Sequence, residues 1–155
     1  MSVPRSSNYE QVAEYLQTNP KRQALCRVGD VHQWLLPPYY TRQLHVCRIS
    51  GTVNGYMTWA FLGAKRASEM LYRDPLVLHD SEWNEGLDSW VIHAVASTKT
   101  AGIELGRRVA TLAREYGQIS YVKYMRTERV CVTISCHNGK LIRKISAVCP
   151  APNLL

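Results

Sequence analysis

The chain contains no apolar run near the ~20 residues that a membrane-spanning helix needs. Its opening, Met1-Ser-Val-Pro-Arg-Ser-Ser-Asn8, lacks the hydrophobic core of a secretory signal. Both absences point to a protein that stays in the cytoplasm. None of the five cysteines (Cys26, Cys47, Cys131, Cys136, Cys149) forms a Cys-x-x-Cys pair, and their number is odd. A disulfide framework is therefore not expected, and a reducing compartment suits them. The spacing around Cys131 and Cys136-His137 fits no common zinc signature, so no metal is expected and these read as small strand hydrophobes. Acidic residues are scarce: 12 Asp and Glu face 19 Lys and Arg, a formal charge of +7. Such a surface draws acidic partners, whether nucleic acid, an anionic membrane or an acidic protein. Repeats, low-complexity tracts and linkers are missing as well.

What remains is an ordinary globular composition, 46% apolar and 20% charged over 155 residues, which fits one domain. Its expected parts are a helical portion over 1–35, a sheet-and-helix core over 36–148, and a tail over 149–155. Helical spacing of Tyr9, Val12, Ala13 and Leu16 predicts a helix from Asn8 to Gln17, with Asn8 as N-cap. A second helical piece runs from about Val28 to Leu35 and should stop at Pro37-Pro38. Leu44–Ile49 and Tyr56–Leu62 read as strands around the turn formers Ser50-Gly-Thr-Val-Asn-Gly55. A short helix over Ala64–Tyr72 and a polar turn over Asp80–Gly86 come next. A buried strand, Trp90–Val95, carries His93 on its face. The strongest helix runs from about Thr100 to Tyr116, with Leu105, Val109, Leu112, Ala113 and Tyr116 on one face and Gly117 at its end. Strands over Ile119–Arg126, Arg129–Cys136 and Leu141–Val148 close the chain, the last two joined by His137-Asn138-Gly139. Strands, a central helix and more strands make an α+β protein.

Several motifs stand in an order that carries a family resemblance. They are Leu36-Pro37, Gln43, Gly55-Tyr-Met-Thr-Trp-Ala-Phe-Leu62, Glu82-Trp83 with Gly86 and Trp90-Val-Ile92, Tyr121-Val-Lys-Tyr-Met-Arg126, and His137-Asn138-Gly139-Lys140. Together they cover most of residues 36 to 140, and the set resembles the toxin-activating lysine acyltransferases. The resemblance implies a GNAT-like fold, a mixed and mostly antiparallel sheet flanked by helices. It also implies transfer of a fatty acyl group from acyl carrier protein to a lysine ε-amine, with no bound cofactor. A base must free that amine, because only the neutral amine attacks a thioester.

The family is understood to use a histidine after its first helix, oriented by a strand aspartate. Here Arg22 or Gln23 stands at the histidine position and His93 at the aspartate position. Arginine stays protonated and glutamine does not titrate, so neither replaces the histidine. His93, or His32 on the second helical piece, is then the candidate base; the alternative for His93 is a satisfied histidine within the fold. Trp59 and Trp90 are candidates for an acyl-chain groove, against a plain core role. Thr98-Lys-Thr-Ala-Gly102 reads as helix capping rather than a phosphate loop. Arg107, Arg108, Lys123, Arg126 and Lys140 are candidates for a basic surface that docks acyl carrier protein or another acidic protein, against a merely solvated face. Tyr121 and Tyr124 beside Lys123 also suit nucleic-acid stacking. The rival expectation is a catalytically silent family member, of the kind a mobile element carries, that grips an acidic partner or nucleic acid. A homodimer is compatible with an exposed edge strand.

Overall fold

The structure, a computed structural model, describes residues 8–18, 30–72 and 78–150. Two helices, α1 (Asn8–Thr18) and α2 (Asp30–Tyr40), precede a hairpin of β1 (Leu44–Ile49) and β2 (Thr52–Leu62). Then come α3 (Ala64–Glu69), a 3₁₀ turn (Asp80–Trp83), β3 (Asp88–Ala96), α4 (Lys99–Tyr116), β4 (Gln118–Tyr124), β5 (Glu128–His137) and β6 (Lys140–Pro150). The strands form one six-stranded sheet in sequence order. Every neighbouring pair is antiparallel except β3 and β4, which are parallel because α4 crosses over between them. The fold is therefore α+β and GNAT-like, with a mostly antiparallel sheet.

The two tight hairpins follow from local chemistry. Ser50-Gly51 and Asn138-Gly139 both place two successive residues at positive φ (50° and 80°; 49° and 76°). That is the type I′ geometry whose twist matches the flanking strands. The helix α4 starts at Thr98, whose hydroxyl accepts the Ala101 N–H at 3.1 Å, so the stretch caps a helix as its composition suggests. Gly117 ends α4 at φ 87°.

Two helices depart from expectation, and β2 begins at Thr52 rather than Tyr56. The second helix does not stop at Pro37-Pro38 but runs through both to Tyr40. A proline inside a helix costs about 3 kcal/mol through its missing donor and ring clash. Here both proline carbonyls are used, by Thr41 N–H at 3.0 Å and Gln43 N–H at 2.7 Å, with the Thr41 hydroxyl adding a bond to Pro37. Pro38 and Leu35 are wholly buried, and that packing offsets the lost helix bonds. The third helix is shorter than its pattern, ending at Glu69.

The sheet has a core on each face. Met57, Trp59, Val91, Leu105, Leu112 and Ile119 pack between the sheet and α4. Behind the sheet, Val12, Leu16, Leu35, Tyr56 and Val95 join it to α1 and α2. On that same face Ala60, Leu62, Trp83, Trp90 and Cys131 pack beneath α3 and the 3₁₀ turn. Motif residues hold these layers together. The Gln43 side chain, 4% exposed, donates to the carbonyls of Trp59 (3.1 Å) and Trp83 (3.3 Å) and accepts from Asn84 Nδ2 at 3.1 Å. Gly86 lets its segment touch β2: a Cβ there would lie 2.1 Å from the Leu62 carbonyl oxygen.

Candidate functional site

His93 is aimed by an irregularity in β3. Thr58 pairs with His93, but the next β2 residue, Trp59, pairs with Val91, so Ile92 is an extra residue on the bulged strand. Regular alternation would put His93 on the same face as Val91, under α4. The bulge reverses the sides beyond it. His93 therefore shares its face with Thr58, Tyr56 and Val95, the face covered by α1 and α2.

There the His93 Nδ1 forms a hydrogen bond with the Tyr56 hydroxyl. The two rings meet edge to face, with centroids 5.2 Å apart at 72°. Tyr56 is fully buried, whereas His93 is only half-buried. Tyr15 of α1 packs edge-on against Tyr56 (6.4 Å, 85°). Its hydroxyl bonds to the Ser97 hydroxyl and reaches the Asn54 carbonyl at 3.5 Å. Asn54 in turn donates to the Thr98 hydroxyl at 3.0 Å, so this network ties α1 to the start of α4. Arg48 of β1 holds the other end of α1, with bonds of 2.6 Å to Asn8 Oδ1 and to Gln11 Oε1. When His93 Nδ1–H donates to the Tyr56 oxygen, Nε2 carries the lone pair that takes a proton.

The sheet opens beside this pair. β3 and β4 share one register pair, Trp90 with Ser120, and the bulged end of β3 lies beyond it. Carboxyl ends of parallel strands are the usual ligand position in open sheets with crossover helices.

The other residues singled out from the sequence fall in several places. His32 lies on the first turn of α2, and its side chain is outside the described residues, as is the stretch holding Arg22 and Gln23. Trp59 and Trp90 are both buried but face opposite sides of the sheet, in separate cores, so they do not line a common groove. Arg108 lies over the Trp59 ring, its guanidinium carbon 5.1 Å from the centroid, and Arg107 is exposed nearby on α4. Lys123 and Arg126 are exposed at the carboxyl end of β4, the same end as His93. Lys140 starts β6 at the other end of the ten-residue β5, about 30 Å away at strand rise. The five cations thus do not make one patch.

Three features escaped the sequence. Arg129 of β5 is 5% exposed, and its Nε and Nη1 have no hydrogen-bond partner among the described residues. Its strand pairing with Tyr124 puts it on the His93 face of the sheet. On the α4 face, His45, Cys47 and Glu104 bring their ligating atoms within 4.8 Å of one another. Burial, followed by the Glu104 carboxylate, pushes the Cys47 thiol up to about 11, so it is no ready nucleophile. An open depression of about 690 Å³ is lined by Gly63, Lys65, Arg66, Glu69, Glu82 and Glu85. It lies beyond Leu62, which pairs with Asp88 at the opposite end of β3 from His93's bulged end, and Arg66 is engaged by Glu69 and Glu82. No helix among the described residues is long and apolar enough to cross a membrane.

A search of curated proteins finds no match. The family model for the RTX toxin acyltransferase family matches residues 11–131, the span from α1 through the bulged β3 and α4 into β5. With that match over well more than half its length, the chain belongs to the RTX toxin acyltransferase family.

Proposed function

We propose that the chain moves an acyl group from the thioester of acyl carrier protein to the ε-amine of a lysine on a toxin-like acceptor, with His93 as the base. The observation that carries this is the half-buried imidazole, bonded at Nδ1 by a fully buried tyrosine, at the open end of the parallel strands. Nε2 takes a proton from the lysine ammonium. The freed nitrogen attacks the thioester carbonyl carbon, and the C–S bond of the tetrahedral intermediate breaks. Imidazolium returns a proton to the departing thiolate, while the amide nitrogen loses its extra proton to solvent. The edge of β3 beyond Trp90 lies outside the β3–β4 ladder, so its backbone N–H groups are the candidate donors to the oxyanion. Lys123 and Arg126 flank this end and suit an acidic carrier protein, which favours a docking role for them over that of Lys140.

The test is direct. Purified chain is incubated with acyl-loaded acyl carrier protein and a lysine-bearing RTX toxin fragment, and the fragment is read by intact mass. The expected result is a mass gain of one acyl chain that requires the chain. Carrier binding without any mass gain would favour the rival, a silent family member that only grips an acidic partner.

A further inference from the structure

We propose that His45, Cys47 and Glu104 form a site for one zinc-like divalent cation, joining β1 to α4 on the face of the sheet opposite His93. His45 and Cys47 are two apart on β1, so their side chains share a face. Glu104 comes down from the second turn of α4. The His45 Nε2 and Glu104 Oε1 lie 2.8 Å apart, and all three ligating atoms fall within 4.8 Å of one another.

These separations suit a tetrahedral ion. Zinc bonds of about 2.0–2.3 Å to nitrogen, oxygen and sulfur place neighbouring ligand atoms about 3.3–3.6 Å apart. The His45–Glu104 edge must therefore open by about half an ångström. Charge argues the same way. A thiolate and a carboxylate together balance a dication, so the loaded site is neutral where Cys47 has no exposure at all. Without the ion, the carboxylate works against ionisation of the thiol; with it, the thiol proton is released to solvent as the metal–sulfur bond forms. The thiol also reaches the Ala101 carbonyl, at 3.9 Å. Glu104 and His45 keep 42% and 29% side-chain exposure, which leaves an entry path and room for a water as fourth ligand. Sulfur and imidazole donors select zinc, cobalt or copper over magnesium or calcium.

The experiment uses the full chain, freed of metal by dialysis against chelator and titrated with Co²⁺ and then Zn²⁺. One equivalent of Co²⁺ should bind with the intense sulfur-to-metal charge-transfer band and tetrahedral absorption, and Zn²⁺ should displace it. Cys47→Ser should abolish the charge-transfer band. Glu104→Gln and His45→Asn should each weaken Zn²⁺ by tenfold or more while circular dichroism stays unchanged. Cys131→Ser, which alters a thiol in the other core, should leave binding intact. If no stoichiometric metal binds the native chain, the three residues are only an ion pair beside a thiol and the proposal fails. Binding that survives in Glu104→Gln and His45→Asn overturns it equally, even if Cys47→Ser does not fold.

Discussion

Replacing Tyr56 with Phe removes one hydroxyl and leaves the ring in place. The ring is fully buried and makes edge contacts with Tyr15 and His93, and those survive the change. What is lost is the bond to His93 Nδ1, with a net worth of about 0.5–1.5 kcal/mol. His93 is half-buried, so water can replace part of it, and the stability loss should stay near 1 kcal/mol. The larger effect falls on transfer. If that bond holds the ring and its tautomer with about 1–2 kcal/mol of preference, its loss slows the chemical step about 5–30-fold. Tyr56→Phe should therefore lower kcat by that factor and leave the KM for acyl carrier protein unchanged, because Tyr56 is fully buried and offers the carrier no contact. Steady-state transfer, followed by release of carrier thiol, separates the two constants. An unchanged kcat would refute the positioning role, and so would a loss confined to KM.

Three further outcomes test the packing and charge. Gly86→Ala places a Cβ 2.1 Å from a backbone oxygen that cannot swing away, so it should lower stability in urea by about 3 kcal/mol or more; an unmoved midpoint would contradict the close approach. Arg129→Met replaces a buried guanidinium whose Nε and Nη1 have no partner among the described residues by a neutral chain of similar reach, and should raise stability by about 1–3 kcal/mol; a fall in the urea midpoint would mean that the charge is compensated. At Glu82, burial acts to raise the carboxyl, but the Arg66 guanidinium at 2.7 Å and the His79 backbone N–H at 2.8 Å outweigh it and hold the group below 4.5. The unfolded chain therefore binds the proton more readily, so this contribution is present above about pH 4.5 and lost as pH falls through the folded value. Glu82→Gln should flatten the acid limb of stability against pH, and an equally steep limb would contradict the pairing.

The strands and the long helix were legible because their signals are local. Asn138-Gly139 specifies a type I′ turn, and the apolar stripe of α4 repeats at helical spacing. Pro37-Pro38 misled because the bonds that rescue the helix come from Thr41 and Gln43, beyond the prolines, and from burial that no local rule records. The site was half legible. His93 could be singled out from its strand, but its direction could not, since alternation along Trp90–Val95 puts it under α4 and the bulge at Ile92 puts it under α1. Its partner Tyr56 is 37 residues away in sequence and looks like any core aromatic. Glu104 and Cys47 are separated in sequence by β2, α3 and β3, so their meeting with His45 exists only in the fold. Trp59 and Trp90 resemble one another in sequence and lie in different cores because β2 and β3 present them to opposite faces.

The central claim is that His93 moves the proton. Single-turnover transfer by His93→Gln, at saturating acyl-loaded carrier protein and with folding and carrier binding checked in parallel, tests it most directly. Glutamine keeps a hydrogen-bonding side chain of similar reach and cannot titrate. The predicted result is a rate about 10²–10⁴-fold below that of the native chain, with carrier affinity unchanged. Transfer at the native rate would contradict the account and place the base elsewhere.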